Sequence, residues 1–301
     1  MQNILDNIKL IVLDTDIWTG RKSLLESDLK LKKGKELPPA SLASLGSKLV
    51  MDPEKLAPFH ALKSAAVRAI LRVGTRFLGA YAVPAEKTDE VMAEVNSIEA
   101  EFNARKQEFM DGYQAALDYW VAANPGWENI IQNAAVSPAT AAEKLKFSTQ
   151  VLSIMPVAGQ EQGLEKEVNG LAGQLRQEIE IAARQTWKDS FQGKTEVTQK
   201  ALRPLRGMVA KIEGLAFLEP SLADLIQGLQ SILAGLPPKG AIKAQHLAAA
   251  CGILSVLGNI PEAAAREAET VEADESEEIT DSADIPTVRK PVQTALPNEW
   301  F

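Results

Sequence analysis

The sequence predicts a mainly α fold: long antiparallel helices, a minor two-stranded β ribbon, and a disordered acidic C-terminal tail. Three observations predict it. Of 301 residues 46% are hydrophobic, enough for a core, yet the aromatics number only eight Phe, five Trp and three Tyr, few for an all-β protein. Ala, Leu, Glu, Gln and Lys dominate, and these favour long helices. Over much of the chain, apolar residues recur at three- and four-residue spacing, until that rhythm stops near residue 261.

The first element is the compact β-branched and leucine run of residues 8–14, IKLIVLD, which reads as a strand. At Met51-Asp52-Pro53-Glu54, Asp52 can cap a helix whose first position is Pro53. A helical segment from about His60 to Ala80 follows, interrupted or ended near Gly74 and Gly79. From Asp89 to Ala122 the apolar spacing is Val91, Val95, Ile98, Phe102, then Phe109, Tyr113, Ala116, Trp120, a 4-3-4 rhythm broken once at Arg105. That predicts one long helix of coiled-coil character, stopped by Asn124-Pro125-Gly126.

The second strand is Leu145 to Val151, where Leu145, Phe147, Thr149 and Val151 share one side. It is expected to pair with the first strand at one end of the helical body. Leu164, Val168, Leu171, Leu175 and Ile179 start another long amphipathic helix that reaches about Phe191 and stops at Gln192-Gly193. Each long helix would measure about 45 to 50 Å at 1.5 Å per residue. Packing against each other is the expected use of their stripes, with self-association as the competing one. Three shorter helices are expected at Val197 to Leu215, Ser221 to Leu233 and Lys239 to Leu257.

Two regions therefore emerge, a helical body at 1–261 and a tail at 262–301. The tail holds 11 acids and 3 bases, so the net charge of −8 resides there and the body is neutral. Such a segment buries too little apolar surface to offset its ordering entropy. Residues 1–80 carry 13 Lys/Arg against 8 Asp/Glu, short of a nucleic-acid-binding composition. A single cysteine, Cys251, excludes an intrachain disulfide and a cysteine-based zinc cluster. No signal peptide is legible, and Leu247 to Leu257 is too short to span a bilayer, so a cytoplasmic protein without a membrane partner is expected.

Several motifs imitate chemistry without its context. Asp14-Thr15-Asp16 after a strand resembles the start of a haloacid-dehalogenase-like phosphotransferase, which needs a parallel sheet and a later acidic pair. Gly20-Arg21-Lys22-Ser23 lacks the upstream glycine of a phosphate loop; a polar turn with Trp18 packed against the body is expected instead. His60 and His246 have no sequence-local nucleophile to activate. No catalytic residue, cofactor or metal is expected.

Two binding patterns remain. Arg68, Arg72 and Arg76 fall at i, i+4 and i+8, which would place three guanidinium groups along one helix stripe. They would either pair with Glu86, Glu90 and Glu94 of a neighbouring helix or dock an acidic protein surface or phosphates. In the tail, Trp300 and Phe301 follow the acidic run, as in a tethered peptide that inserts aromatic anchors into a partner's pocket.

The segments Asp16-Ile17-Trp18-Thr19-Gly20-Arg21-Lys22-Ser23, Leu45-Gly46-Ser47-Lys48, Met51-Asp52-Pro53-Glu54, Pro58-Phe59-His60-Ala61-Leu62-Lys63 and Arg76-Phe77-Leu78-Gly79-Ala80-Tyr81-Ala82-Val83-Pro84 carry a resemblance. They resemble domain-of-unknown-function family 3150, found on conjugative elements, plasmids and phages. The resemblance is densest over residues 10–130 and weaker to about 260. It implies a context beside a MoxR-type AAA ATPase and a cobaltochelatase-like von Willebrand factor A protein, with no chemistry to transfer. The expected function is a non-enzymatic adaptor or structural partner in that ATPase-linked system. The alternative is a nucleic-acid-associated recombination accessory that binds phosphates through the arginine stripe.

Overall fold

A computed structural model of the chain describes residues 1–29 and 45–259. The acidic tail, with Trp300 and Phe301, lies outside the described residues. The N-terminal part runs α1 (Gln2–Asp6), β1 (Ile8–Asp16), β2 (Arg21–Ser23), β3 (Ser47–Leu49), α2 (Ala57–Leu71), β4 (Thr75–Phe77), β5 (Ala80–Pro84), α3 (Thr88–Asp111), α4 (Tyr113–Ala122), α5 (Glu128–Ala134), α6 (Pro138–Glu143) and β6 (Lys146–Leu152). The C-terminal part runs α7 (Glu161–Thr186), β7 (Glu196–Val197), α8 (Leu202–Gly214), α9 (Pro220–Ala234), β8 (Ile242–Lys243) and α10 (Ala244–Gly258). Helix therefore dominates. No helix among the described residues is long and apolar enough to cross a membrane.

The two strands expected from sequence do pair, antiparallel, with Leu10 opposite Leu152 and Asp16 opposite Lys146. The two-stranded ribbon is nevertheless a correction: the sheet has four strands, in the order β4-β5-β1-β6. Of the two added strands, β4 falls between Gly74 and Gly79, where the sequence interrupts or ends the helical segment, and β5 starts at that segment's last residue, Ala80. Helix α2 stops at Leu71 because Gly74 must approach the sheet: a Cβ there would sit 2.6 Å from the Ala82 carbonyl oxygen and 2.7 Å from Val83 Cγ2. Beyond it, Thr75, Phe77, Tyr81 and Val83 are residues that suit a pleated, half-buried surface. The pairs β2–β3 and β7–β8 form two further small ribbons.

Alternation along β1 gives the sheet two buried faces. Ile11 faces one core with Val83, Phe59 of α2, and Val91, Val95 and Phe102 of α3. Ile8 and Leu10 face the other, with Phe77, Ala82, Leu5 of α1, and Val168 and Leu171 of α7. Helix α7 then continues past the sheet: Leu175, Ile179 and Ala183 enter a third core with α8, α9 and α10. One amphipathic stripe thus serves two cores. The two long helices do not bury their stripes against each other, because α3's stripe has been taken up by α2 and the sheet and α7's by the opposite face and the C-terminal helices.

The helix expected over 89–122 is also divided. It is interrupted at Gly112 between α3 and α4, and the next residue, Tyr113, 1% exposed, enters the core, where its hydroxyl donates to the Val136 carbonyl at 2.8 Å. Helix α7 ends in a π turn, Trp187–Phe191, that buries both aromatic rings. The expected cap is present: the Asp52 carboxylate accepts from the Glu54 N–H at 2.9 Å, opening a short 3-10 turn, Pro53–Lys55, that leads into α2.

Candidate functional site

The turn joining β4 to β5 is the most unusual piece of backbone beside a cleft. Phe77 pairs with Ala80, leaving only Leu78 and Gly79 to turn the chain. Both have positive φ, 49° and 77°, the sign that a type I′ hairpin turn requires. Gly79 adopts it freely. Leu78 does not, since the left-handed region costs an L-residue with a Cβ about 1–2 kcal/mol. Leu78 is also 51% exposed, so burial offsets little of that cost.

This strained tip forms one wall of a cleft of about 450 Å³, lined by Arg76, Leu78 and Gly79 on the hairpin and by Lys166, Gly170 and Gln174 on α7. A Cβ at Gly170 would meet nothing within 4 Å, so the α7 wall is low there. The lining combines both charge signs, Lys166 and Glu167 on α7, with an apolar tip. Such a surface fits a polypeptide segment better than a small anion.

Below the cleft a polar node fixes the hairpin to the C-terminal helices. Lys211 of α8, only 8% exposed, donates to Glu178 Oε2 and to the Leu71 carbonyl, both at 2.9 Å. Glu178 of α7 also accepts from Gln174 at 3.3 Å and from the Arg76 N–H at 3.4 Å. Burial alone would raise the pKa of Glu178. The Lys211 hydrogen bond and charge outweigh it, with Thr75 and Gln174 adding to the effect, and hold the carboxyl below its ordinary value of 4.5. The Thr75 hydroxyl, which acts on this carboxylate, is fully buried and has no well-formed hydrogen bond of its own.

The arginine stripe is the main correction among the sequence-derived candidates. Arg68 lies in α2, Arg72 caps its C-terminus, and Arg76 stands on β4, so the i, i+4, i+8 alignment ends with the helix. Arg72 pairs with Glu94 of α3 at 2.7 Å, one of the three glutamates expected. Arg76 stacks over the ring of Tyr81, its cross-strand partner, at 5.7 Å. Arg68 is exposed and makes no ion pair among the described residues.

The rejected motifs meet structures that do not suit them. Asp14 and Asp16 sit at the C-terminal end of β1, in an antiparallel sheet, where a phosphotransferase of that type needs parallel strands. Lys22 and Ser23 belong to the ribbon strand β2, and Trp18 packs against Tyr113 as expected. The described residues hold no group of three or more His, Cys, Asp or Glu placed to bind a metal ion.

The family model described as a protein of unknown function, DUF3150, matches residues 5–259. This chain belongs to that family. No curated protein and no solved structure matches it. The match covers sheet, hairpin, cleft and polar node together and leaves out only residues 1–4 of the described body. Sequence reasoning found Arg76 in this site but missed Leu78, Glu178 and Lys211. The bracketing of Thr75–Phe77 and its β-prone neighbours by Gly74 and Gly79 was the signal for the hairpin. Nothing local marks Glu178 and Lys211, which lie 33 positions apart.

Proposed function

We propose that this DUF3150 chain is a non-enzymatic adaptor or structural partner in the AAA-ATPase-linked system of a mobile genetic element, and that the β4–β5 hairpin and its cleft are its docking site. The observation that carries this reading is Leu78, an apolar side chain held in left-handed backbone and left half-exposed beside a cleft. A polar turn residue would serve the fold better there, so the strain is consistent with a functional constraint. In the tail, Trp300 and Phe301 supply a second contact, steered to basic surface by the acidic run before them.

The test is co-purification of the intact chain with a MoxR-type ATPase and a von Willebrand factor A protein of its host, the partners that the family resemblance implies. Capture of either, reduced tenfold or more by Leu78→Asp with an unchanged melting temperature, supports the hairpin. A parallel variant, Trp300→Ala with Phe301→Ala, reads the tail separately. Unaltered capture by all variants, or none by the wild type, overturns the docking assignment.

One observation favours the nucleic-acid reading, the exposed Arg68 without an ion pair among the described residues. With Arg72 engaged by Glu94 and Arg76 on another element, that reading has, among the described residues, Arg68 alone of the three without an ion pair or a change of element. Binding through it would shift the slope of log affinity against log salt by about one unit in Arg68→Ala.

A further inference from the structure

The four-stranded sheet has two edges, and the fold treats them differently. The β4 edge is covered. Helix α7 lies along it, Glu178 accepts from the outward Arg76 N–H, and Thr75 and Phe77 are buried. The β6 edge is open: among the described residues the strand is paired only with β1. Lys146, Ser148, Gln150, Val151 and Leu152 are exposed along it, while Phe147 is buried and Thr149 half-buried. An open row of N–H and C=O groups is a template for another strand.

Natural edges are blunted by proline, bulges, inward charges or short length. β6 has none of the first three. Its seven residues pair with β1 in unbroken register from Lys146 to Leu152, with no bulge. It contains no proline, and its one charge, Lys146, stands at the end, opposite Asp16. Its exposed apolar surface continues beyond the strand: Val151 is 42% exposed, Leu152 44%, Met155 80% and Val157 69%. No other stretch of the described residues gathers so many large exposed apolar side chains.

We propose that β6 is a self-association edge, pairing antiparallel with β6 of a second copy about a two-fold axis at Thr149. The strand's pattern, KFSTQVL, supports this occupant because it is self-complementary about that residue. Two-fold pairing places Phe147 opposite the second copy's Val151, an aromatic and β-branched pair of the kind that stabilises antiparallel sheets. Ser148 then faces Gln150, polar on polar. Lys146 faces Leu152, and the two lysines stand at opposite ends, roughly 20 Å apart at 3.4 Å per residue, so no like charges meet. The product is one sheet continuous across both chains, with twice the four strands of the monomer and its open edge removed. This interface stands apart from the hairpin and cleft, which lie at the opposite edge of the sheet and stay accessible.

Sedimentation velocity of the full chain, from about 1 to 100 μM, tests it. The expected result is a dimer of twice 32.5 kDa, shifted at least tenfold toward monomer by Val151→Lys with the circular-dichroism spectrum unchanged. A second variant keeps the test decisive if Val151→Lys folds poorly. Thr149→Cys should form an interchain disulfide under mild oxidation, because directly opposed antiparallel residues have Cα atoms about 4.5–5.5 Å apart, inside the disulfide range. A chain that stays monomeric at 100 μM overturns the proposal. So does a dimer that survives Val151→Lys and fails to cross-link through Thr149→Cys. If the chain alone is monomeric but Val151→Lys abolishes capture of another protein, the edge belongs to that partner's strand instead.

Discussion

Lys211 and Glu178 form a largely buried ion pair at 2.9 Å, and the same ammonium group also donates to the carbonyl of Leu71 at the end of α2. One side chain thus connects α8, α7 and the C-terminal end of α2. Breaking a fully buried pair by removing one partner costs about 3–5 kcal/mol. Glu178 keeps 24% side-chain exposure, so Lys211→Met is expected to lose somewhat less, about 2–3 kcal/mol. Urea unfolding at pH 7 measures it.

The pair also sets a pH dependence. Because the folded pKa of Glu178 lies below its ordinary 4.5, its contribution is present above that value and is lost as pH falls through the lowered one. In Lys211→Met only the effect of burial and the weaker hydrogen bonds remain. Burial favours the neutral acid, so protonation now helps the folded state. The stability gap between wild type and variant should therefore narrow as pH falls through the region of 4.5 toward the lowered value, where the variant's Glu178 takes up its proton before the wild type's. A gap that is constant or widens over that range refutes the assignment.

Gly74 is required for lack of space rather than for its backbone freedom. A methyl group there would meet the Ala82 carbonyl oxygen and Val83 Cγ2 below 3 Å, and neither can move without shifting β5. Gly74→Ala should destabilise by about 1–3 kcal/mol. Gly173→Ala is the contrasting case, a helix-interior glycine whose added Cβ meets nothing within 4 Å. It should gain about 0.5–1 kcal/mol. Paired thermal melts distinguish the two.

Leu78 is expected to trade stability for binding. Leu78→Asn places a residue that tolerates left-handed backbone at φ 49° and should raise stability by about 0.5–1 kcal/mol. The same change should weaken capture of the docking partner. A variant that is both destabilised and fully competent in binding would contradict the reading of Leu78 as a strained anchor.

Cutting the chain after Ile260 should leave its melting temperature nearly unchanged. The residues removed are rich in acids and poor in apolar periodicity, so they contribute little burial. A fall of several degrees, read by circular dichroism, would show that they pack against the body.

Residues 8–14 and 145–151 could be read as strands because their patterns are local, and their pairing follows from there being few other strands to choose. Helix α7 and its stop were legible for the same reason: a 3.6-residue period is written in consecutive residues. What each stripe touches is not. Val168 and Leu171 meet the sheet whereas Leu175, Ile179 and Ala183 meet α8 and α10, and the periodicity of the helix is identical in both halves. The arginine spacing misled for a related reason. It assumed a continuing helix, and Gly74, forced by contact with Ala82 and Val83, ended it between Arg72 and Arg76.

The sequence by itself determined the helical class, the strand pair that opens the sheet, the cap at Asp52 and the family to which residues 5–259 belong. Only the tertiary structure decided the hairpin, the Lys211–Glu178 node and the contrast between a covered and an open sheet edge. The physical reason is range. Periodicity and capping act between residues a few positions apart, while steric exclusion, charge burial and edge coverage depend on which distant segments the fold brings within a few ångströms.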